Sequence, residues 1–531
     1  MNLGWWLERA WWEHPDKTAV VNGNGTSATY TELRALSNRL SNVLVDDAGL
    51  KEDDVVATIL HDDHRHMAIF YAAIRAGGAF TGLNRRNLPE KFVHDVERSQ
   101  ASILIVSPEF LPQAELLEDQ PSIRRIYVTE GEHPRYPNIG ELLDAASDEF
   151  RVVARAEADL AAINFTSGTS GTSKGVMYTH GKLGVSCWNS IFLTGMRSDA
   201  KNVSLISMFH SGGIADCIRN AMVGGTILWT DGWDVDRVVR IIREHKPNWM
   251  YYIIPTMVRD LLRHPDWPGL DLDGLHTHVS GEPIPPDVSA ALEKKGVRIG
   301  RMYGMTETMP VCVLATSLYY GDEDPPDLAS GKPSKTFCEV KLADPVTGET
   351  LEGGDVEGEI CIRGDVVTPG YFNDPERTAA SFDDEGYLHT RDNAYRDQDG
   401  WLYIRGRTDD IINTGGEKLS LLEIDEILLS HPDVHDAGVV GADHERFGEV
   451  PAAFVVMKTS VGEEEARDIL DAWCLERLER WKRPRLYALI DELPRTAKQT
   501  KMTPVLKRYL EGHVIKDADG ITTLSGLKAA R

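Results

Sequence analysis

The sequence predicts an α/β protein. It has a large N-terminal domain of parallel-type sheets with helical cover plus a β-rich subdomain, then a small α+β C-terminal domain. Three observations carry this reading. The chain has 531 residues, too many for one compact core and enough for two to four domains or subdomains. Over roughly the first 400 residues, short apolar runs alternate with helical segments, the texture of parallel sheets with crossover helices. The texture then changes twice, at Val340–Ile362 and again after Arg405-Gly406-Arg407.

Each element follows from local pattern. Asp54–Leu60 reads as a buried strand, and His66–Ala76 as a helix stopped by Gly77-Gly78. Ala101–Val106, Ser204–Met208 and Gly225–Trp229 repeat the strand signal. Short strands with Asp-Pro, Thr-Gly, Gly-Gly and Arg-Gly turns around Val340–Ile362 indicate the β-rich subdomain. Beyond it come a helix at Leu421–Ser430, strands at Ala437–Gly441 and Ala452–Met457, and a long charged helix at Glu463–Trp481. The boundary falls near residue 408, giving domains 1–407 and 408–531, and the last fifteen residues read as a loose tail. Trp5, Trp6, Trp11 and Trp12 pair at helical spacing and are expected to pack into the core.

Composition narrows the partners. A net charge of −26 excludes a nucleic-acid surface, because phosphate backbones need basic faces. No run approaches the length of a transmembrane helix, and the N-terminus lacks the basic and apolar regions of a signal peptide. The six cysteines (Cys187, Cys217, Cys312, Cys338, Cys361, Cys474) are scattered without a Cys-x-x-Cys pair, which fits a reducing cytoplasm.

The most informative stretch is Asn164–Val176. Leu160–Ile163 lead into it as a buried strand would, and Thr166–Val176 holds three Gly, six hydroxyl side chains and Lys174 in eleven residues. Glycines let backbone N–H groups converge, hydroxyls add neutral donors, and Lys174 adds a mobile positive charge, a combination suited to a polyphosphate. Because Ser173 precedes Lys174 and Gly175 follows it, the spacing is not that of the Gly-x-x-x-x-Gly-Lys-Ser/Thr loop.

This stretch resembles the phosphate loop of the adenylate-forming superfamily: acyl-CoA synthetases, peptide-synthetase adenylation domains and luciferases. That loop typically runs Thr-Ser-Gly-Thr-Thr-Gly-x-Pro-Lys-Gly; here Ser170 replaces a Thr and Ser173 replaces the Pro. The resemblance extends over about residues 10–510. Tyr303-Gly304-Met305-Thr306-Glu307 matches the family's Tyr-Gly-x-Thr-Glu, and Ser280-Gly281-Glu282-Pro283 resembles the turn lining adenine. Leu388-His389-Thr390-Arg391-Asp392 resembles its Thr-Gly-Asp element, with Arg391 in place of Gly. Arg407, Asp409, and Gly415-Gly416 fall at the family's hinge and the loop beyond it; Phe209-His210 resembles the segment bordering the acyl pocket.

The resemblance implies an acyl-CoA ligase using ATP (or acyl-AMP), Mg²⁺ and CoA on a carboxylic acid, with a mobile C-terminal domain. Thr166, Ser167, Gly168, Thr169 and Lys174 would hold phosphates. Gly281, Glu282, Pro283, Tyr303 and Gly304 would line the base. Thr306 would contact phosphate, Glu307 would hold Mg²⁺, Asp392 and Arg407 would take the ribose, and His210 would border the carboxylate. Asp409 would be the hinge, and Gly415 and Gly416 the thiol tunnel. The family's catalytic lysine follows Pro-Arg-Thr-x-x-Gly; here that position holds Thr500, with Lys501 one residue late and Lys498 two early, and Lys501 is the expected catalyst. Trp188, Ile191, Phe192, Phe209 and Ile214 would favour an apolar acid.

Three alternatives stay open. One is a thioester-forming enzyme fed acyl-adenylate by a separate adenylating enzyme, the second is acyl delivery to a carrier protein, and the third is a non-catalytic nucleotide-binding regulator. A homodimer is a further partner reading.

Overall fold

A computed structural model describes residues 1–166, 173–279, 286–309, 313–315, 325–326, 328–333, 336–345, 347–407, 411–414, 417–495, 501–510, 515 and 522–523. The chain divides into two compact units. The first comprises Met1–Gly168, Thr172–Val340 and Ile362–Leu388; the second comprises Thr169–Gly171, Lys341–Cys361 and His389–Arg531.

Two sheets organise the first unit. One runs in the order Arg125–Val128, Ala101–Val106, Val55–Ile59, Ala79–Gly82, Leu160–Phe165 and Gly175–Thr179. Its pairs are parallel until the last, which is antiparallel. The other has a parallel centre, Arg298–Tyr303, His276–Val279, Trp249–Ile253, Lys201–Ser204, Thr226–Trp229 and Thr18–Val21, with antiparallel strands at both edges. Strands such as Val55–Ile59 and Ala101–Val106 are buried along their whole length, as strands covered on both faces are. Caps fix where those helices begin: Asp63 accepts from the N–H groups of Arg65 and His66 at the start of His64–Arg75. Thr29 and Glu32 form a capping box before Tyr30–Asp46.

A further sheet runs Thr350–Leu351, Cys338–Ala343, Val356–Gly364, Leu388–Arg396 and Leu402–Arg407, the β-rich region expected. In the second unit, Glu417–Ser420, Ile411–Thr414, Gly448–Met457, Leu486–Leu489 and Thr522–Thr523 form a sheet, with Val434–His444 paired to Gly448–Met457.

Several expected elements differ. The strand expected at Ser204–Met208 is Lys201–Ser204 instead. The Met208 N–H is taken by Asp62 Oδ1 (2.9 Å) and the His210 N–H by the Ser207 carbonyl (2.9 Å), so the chain turns into the helix Ser211–Val223. The charged helix ends at Leu475, not Trp481. Arg483 turns back onto Asp471 (2.5 Å), which requires the chain to reverse before it. Thr522 and Thr523 pair with Leu486 and Tyr487, so part of the expected tail is strand. Of the four N-terminal tryptophans, Trp6 and Trp11 pack on the core, whereas Trp5 and Trp12 are 48% and 77% exposed. Leu7 and Ala10 supply the buried face of that helix instead. None of the five described cysteines forms a disulfide, and all are buried. No described helix is long and apolar enough to cross a membrane.

Burial also sets the acid response. Burial pushes His180 down to about 4 and His278 down to about 3 from an ordinary 6.5. Folding must strip the proton that each would carry in the unfolded chain below pH 6.5. Their stabilisation is therefore complete above pH 6.5 and shrinks as pH falls towards about 4. The urea midpoint is expected to drop between pH 7 and pH 5, and His278→Gln to flatten that slope; a flat wild-type profile would contradict this.

Candidate active site

In open α/β sheets, ligands collect beyond the carboxyl ends of parallel strands. Three of the sequence motifs lie there. Thr166 follows Leu160–Phe165, Phe209-His210 follows Lys201–Ser204 by a short turn, and Tyr303–Glu307 closes Arg298–Tyr303.

The glycine-rich loop is held at its neck. Phe165 pairs with Gly175, and the Thr166 N–H donates to the Lys174 carbonyl (3.1 Å). Gly175 is needed there, since a Cβ would sit 3.1 Å from Ile163 Cγ2 and 3.3 Å from Phe165 Cε1. Residues 368–372 run beside the next strand: the Met177 N–H donates to the Gly370 carbonyl (3.1 Å), and Phe372 N–H to Gly175 (2.7 Å). This places the Tyr371 ring 5.2 Å from Lys174 Nζ, within cation–π range. The Tyr371 hydroxyl donates to Glu307 Oε1 (2.9 Å). Burial, reinforced by the Glu307 charge, raises the Tyr371 phenol, so it remains a proton donor.

Glu307 is 5% exposed and sits in the short turn Thr306–Thr308. That turn is fastened by the Tyr178 hydroxyl to the Thr306 carbonyl (2.8 Å) and by the Thr368 N–H to the Glu307 carbonyl (2.8 Å). Lys174, Tyr371, Glu307 and Thr306 therefore form one connected group, from segments more than sixty residues apart in sequence. Sequence reasoning missed Tyr371, which belongs to no motif it used.

In sequence, Ser173 stands where the family's loop has proline. Its hydroxyl donates to Asp95 Oδ1, and Asp95 also takes Lys91 Nζ (3.1 Å) and Asn87 Nδ2 (3.2 Å). A buried carboxylate on the helix Pro89–Ser99 thus ties the residue preceding Lys174, supplying the stiffness a proline would. Ser173→Ala is expected to raise the KM for ATP by about tenfold, the worth of one charge-assisted hydrogen bond. Ser173→Pro should restore it, and steady-state ATP titrations would show either outcome.

His210 is buried and packs against Phe209, with ring centroids 4.4 Å apart and the ring planes tilted by 56°. The Phe209 carbonyl accepts from Asn164 Nδ2 (3.0 Å), joining this segment to the strand that feeds the phosphate loop. Ile191 and Ile214 are buried nearby in sequence. Trp188 and Phe192 are instead 42% and 62% exposed, with Trp188 edge-on to Trp6 at 5.5 Å. Tyr303 is buried at its strand end, with Gly304 following it.

In the second unit, Asp392 and Arg407 face each other across paired strands, Nη1 to Oδ1 2.9 Å. Arg391, where the family has Gly, adopts φ +60°, and its N–H donates to Glu359 Oε1 (2.7 Å). A left-handed arginine costs about 1–2 kcal/mol, partly offset by glycine's greater unfolded-state entropy. Arg391→Gly should therefore stabilise the fold by about 0.5–1 kcal/mol, read as a higher urea midpoint.

Lys501 Nζ pairs closely with Asp425, whose Oδ1 also accepts the Val439 N–H (2.7 Å). Both side chains are largely buried. Lys501 bridges Arg495 as an antiparallel pair, Met502 N–H donates to the Pro494 carbonyl (2.8 Å), and Arg495 grips Asp436 twice (2.7 and 3.0 Å). Arg495 and Lys501 are thus fastened to the rest of the second unit, and Lys498 falls between them in sequence. Ser167, Gly168, Thr169, Gly281, Glu282, Pro283, Asp409, Gly415, Gly416, Lys498 and Cys312 lie outside the described residues.

Comparison with known proteins matches residues 7–372 to the AMP-binding enzyme family and residues 423–499 to the AMP-binding enzyme C-terminal domain. The chain belongs to the AMP-binding enzyme family. It is 32% identical over 496 residues to the feruloyl-CoA synthase of an Amycolatopsis species, covering 93% of this chain and 96% of that one. The anthranilate CoA ligase AuaEII in complex with anthranoyl-AMP superposes with a TM-score of 0.88 at 25% identity, over 96% of this chain and 97% of that one. The o-succinylbenzoate coenzyme A synthetase MenE of Bacillus subtilis, with ATP and magnesium ion, superposes with a TM-score of 0.81 at 26% identity, over 94% and 99%.

This member of the family is an AMP-forming acid–thiol ligase of the acyl-CoA synthetase type, using ATP, Mg²⁺ and CoA. Its own residues suit that chemistry. Glu307 offers hard carboxylate oxygens of the kind Mg²⁺ prefers, oriented by Tyr371, whose ring also meets the Lys174 charge.

Proposed function

We propose that this ligase activates an apolar, aromatic carboxylic acid as its acyl-AMP and passes the acyl group to CoA. The connected Lys174–Tyr371–Glu307 group carries this reading, because it places a cation and an oriented carboxylate beside the phosphate loop. The aromatic acids in the names of the relatives, feruloyl and anthranoyl, support the substrate class. So does the buried Phe209 ring against His210.

A carboxylate is a poor electrophile, and adenylation replaces its oxygen with a good leaving group. The carboxylate oxygen attacks the α-phosphorus and pyrophosphate leaves. The CoA thiol then loses its proton, attacks the acyl carbonyl, and AMP leaves. Thr166, Ser167, Gly168, Thr169 and Lys174 would hold the phosphates and Thr306 the α-phosphate. Glu307 would hold Mg²⁺, which neutralises phosphate charge. Tyr303, Gly304, Gly281, Glu282 and Pro283 would take the base, Asp392 and Arg407 the ribose, and His210 the carboxylate side. Domains 1–407 and 408–531 would alternate about Asp409, with Gly415 and Gly416 lining the thiol path, in the cytoplasm.

The lysine loop between Pro494 and Lys501 would supply the charge for adenylation. Lys501 is already engaged with Asp425 at the loop's neck, which points to Lys498 as the residue that reaches the reacting phosphate. The same engagement favours a second reading, thioester formation from acyl-adenylate with weak adenylation. Feeding purified protein Mg²⁺, CoA, ATP and a panel of benzoic, cinnamic and aliphatic acids tests the proposal. Thioester with cinnamic or benzoic acids supports it; turnover confined to aliphatic acids, or none with ATP, counts against it.

A further inference from the structure

Three side chains of metal-ligand type converge on the sheet that carries Asp392, and the ligase reaction uses none of them. Glu359 and Cys361 stand two residues apart on Val356–Gly364, so both point to one face. His389 stands on the neighbouring strand Leu388–Arg396. Its Nδ1 lies 3.0 Å from Glu359 Oε2 and 3.6 Å from Cys361 Sγ, and one ligand atom from each residue lies within 4.8 Å of the others. We propose that Glu359, Cys361 and His389 bind a borderline-soft divalent cation of the Zn²⁺ class.

The Cys361 thiol reaches the Glu359 carbonyl at 3.9 Å as well as the imidazole, so the three groups are held together by weak contacts that one cation could replace. A cation accepts an electron pair from all three at once. Zn²⁺ bonds of about 2.0–2.3 Å put tetrahedral ligand atoms roughly 3.3–3.7 Å apart, close to the separations seen here. Thiolate and imidazole reject Mg²⁺, so this site is chemically distinct from Glu307.

Cys361 and Glu359 are buried, while His389 is partly exposed and gives an approach for the ion and a water as fourth ligand. Binding would release the Cys361 thiol proton to solvent. Glu359 Oε1 holds the Arg391 N–H, so the cation would also brace the turn into Asp392.

Chelator-treated full-length protein titrated with Co²⁺, without substrates, tests this independently of the ligase reading. One equivalent should bind with a thiolate-to-cobalt absorption band, and Zn²⁺ should bleach it. Cys361→Ser should abolish the band; His389→Ala, at a half-exposed position that the fold tolerates, should weaken binding at least about tenfold. No band in the wild type, or a band that neither variant alters, would overturn the proposal.

Discussion

Lys498→Ala will lower thioester formation from ATP and acid by about a hundredfold or more, while thioester formation from preformed acyl-adenylate stays within about twofold. The reason lies in the two sides of the loop neck. Arg495 is fixed to Asp436 and Lys501 to Asp425, so those side chains serve the second unit's packing. Lys501→Ala removes one partner of a largely buried pair and leaves Asp425 uncompensated. Its expected signature is a stability loss of about 3 kcal/mol, at the lower end for a buried pair, with a smaller loss of adenylation than Lys498→Ala. Paired feeds of ATP plus acid and of acyl-adenylate, with urea melts of both variants, separate the two roles. If Lys501→Ala alone silences the ATP feed and melts like wild type, Lys501 is the catalyst and the ion pair opens during turnover.

Glu307→Gln will cost about 10²–10³-fold in the ATP-dependent step and raise the Mg²⁺ concentration needed for half-maximal rate. The amide keeps the shape and can still accept from Tyr371, but it loses the charge that suits a divalent ion. Tyr371→Phe should cost less, about tenfold, because it removes one orienting hydrogen bond and leaves the ring under Lys174. Rates measured across a Mg²⁺ titration check both; an unchanged Mg²⁺ requirement in Glu307→Gln would move the metal elsewhere.

What the sequence could show was whatever is local. Lys174 and Glu307 stand out in the sequence because phosphate and Mg²⁺ chemistry calls for those residue types within short motifs, and Tyr371 contacts both. The strands Val55–Ile59 and Ala101–Val106 were legible because burial on both faces leaves an unbroken apolar run. Tyr371 was not, because it reaches Lys174 only through the pairing of residues 368–372 beside Gly175–Thr179. Ser173 in place of proline suggests only a change in loop stiffness; its tie to Asp95, 78 residues away, is not local and so leaves no motif. Lys501 likewise pairs with Asp425, 76 residues away, a contact no local motif reveals. The tryptophan pairs misled for a simpler reason. Helical spacing puts apolar residues on one face, but the helix Trp5–Glu13 buries Leu7 and Ala10, leaving Trp5 and Trp12 outside.

The measurement that bears most directly on the account follows AMP, pyrophosphate and thioester together in one reaction containing the purified chain, Mg²⁺, ATP, CoA and a cinnamic or benzoic acid. The account predicts equimolar release of all three, with thioester also formed when acyl-adenylate replaces ATP and acid. Thioester from acyl-adenylate alone, without pyrophosphate release from ATP, would contradict it and leave this chain only the second half of the reaction.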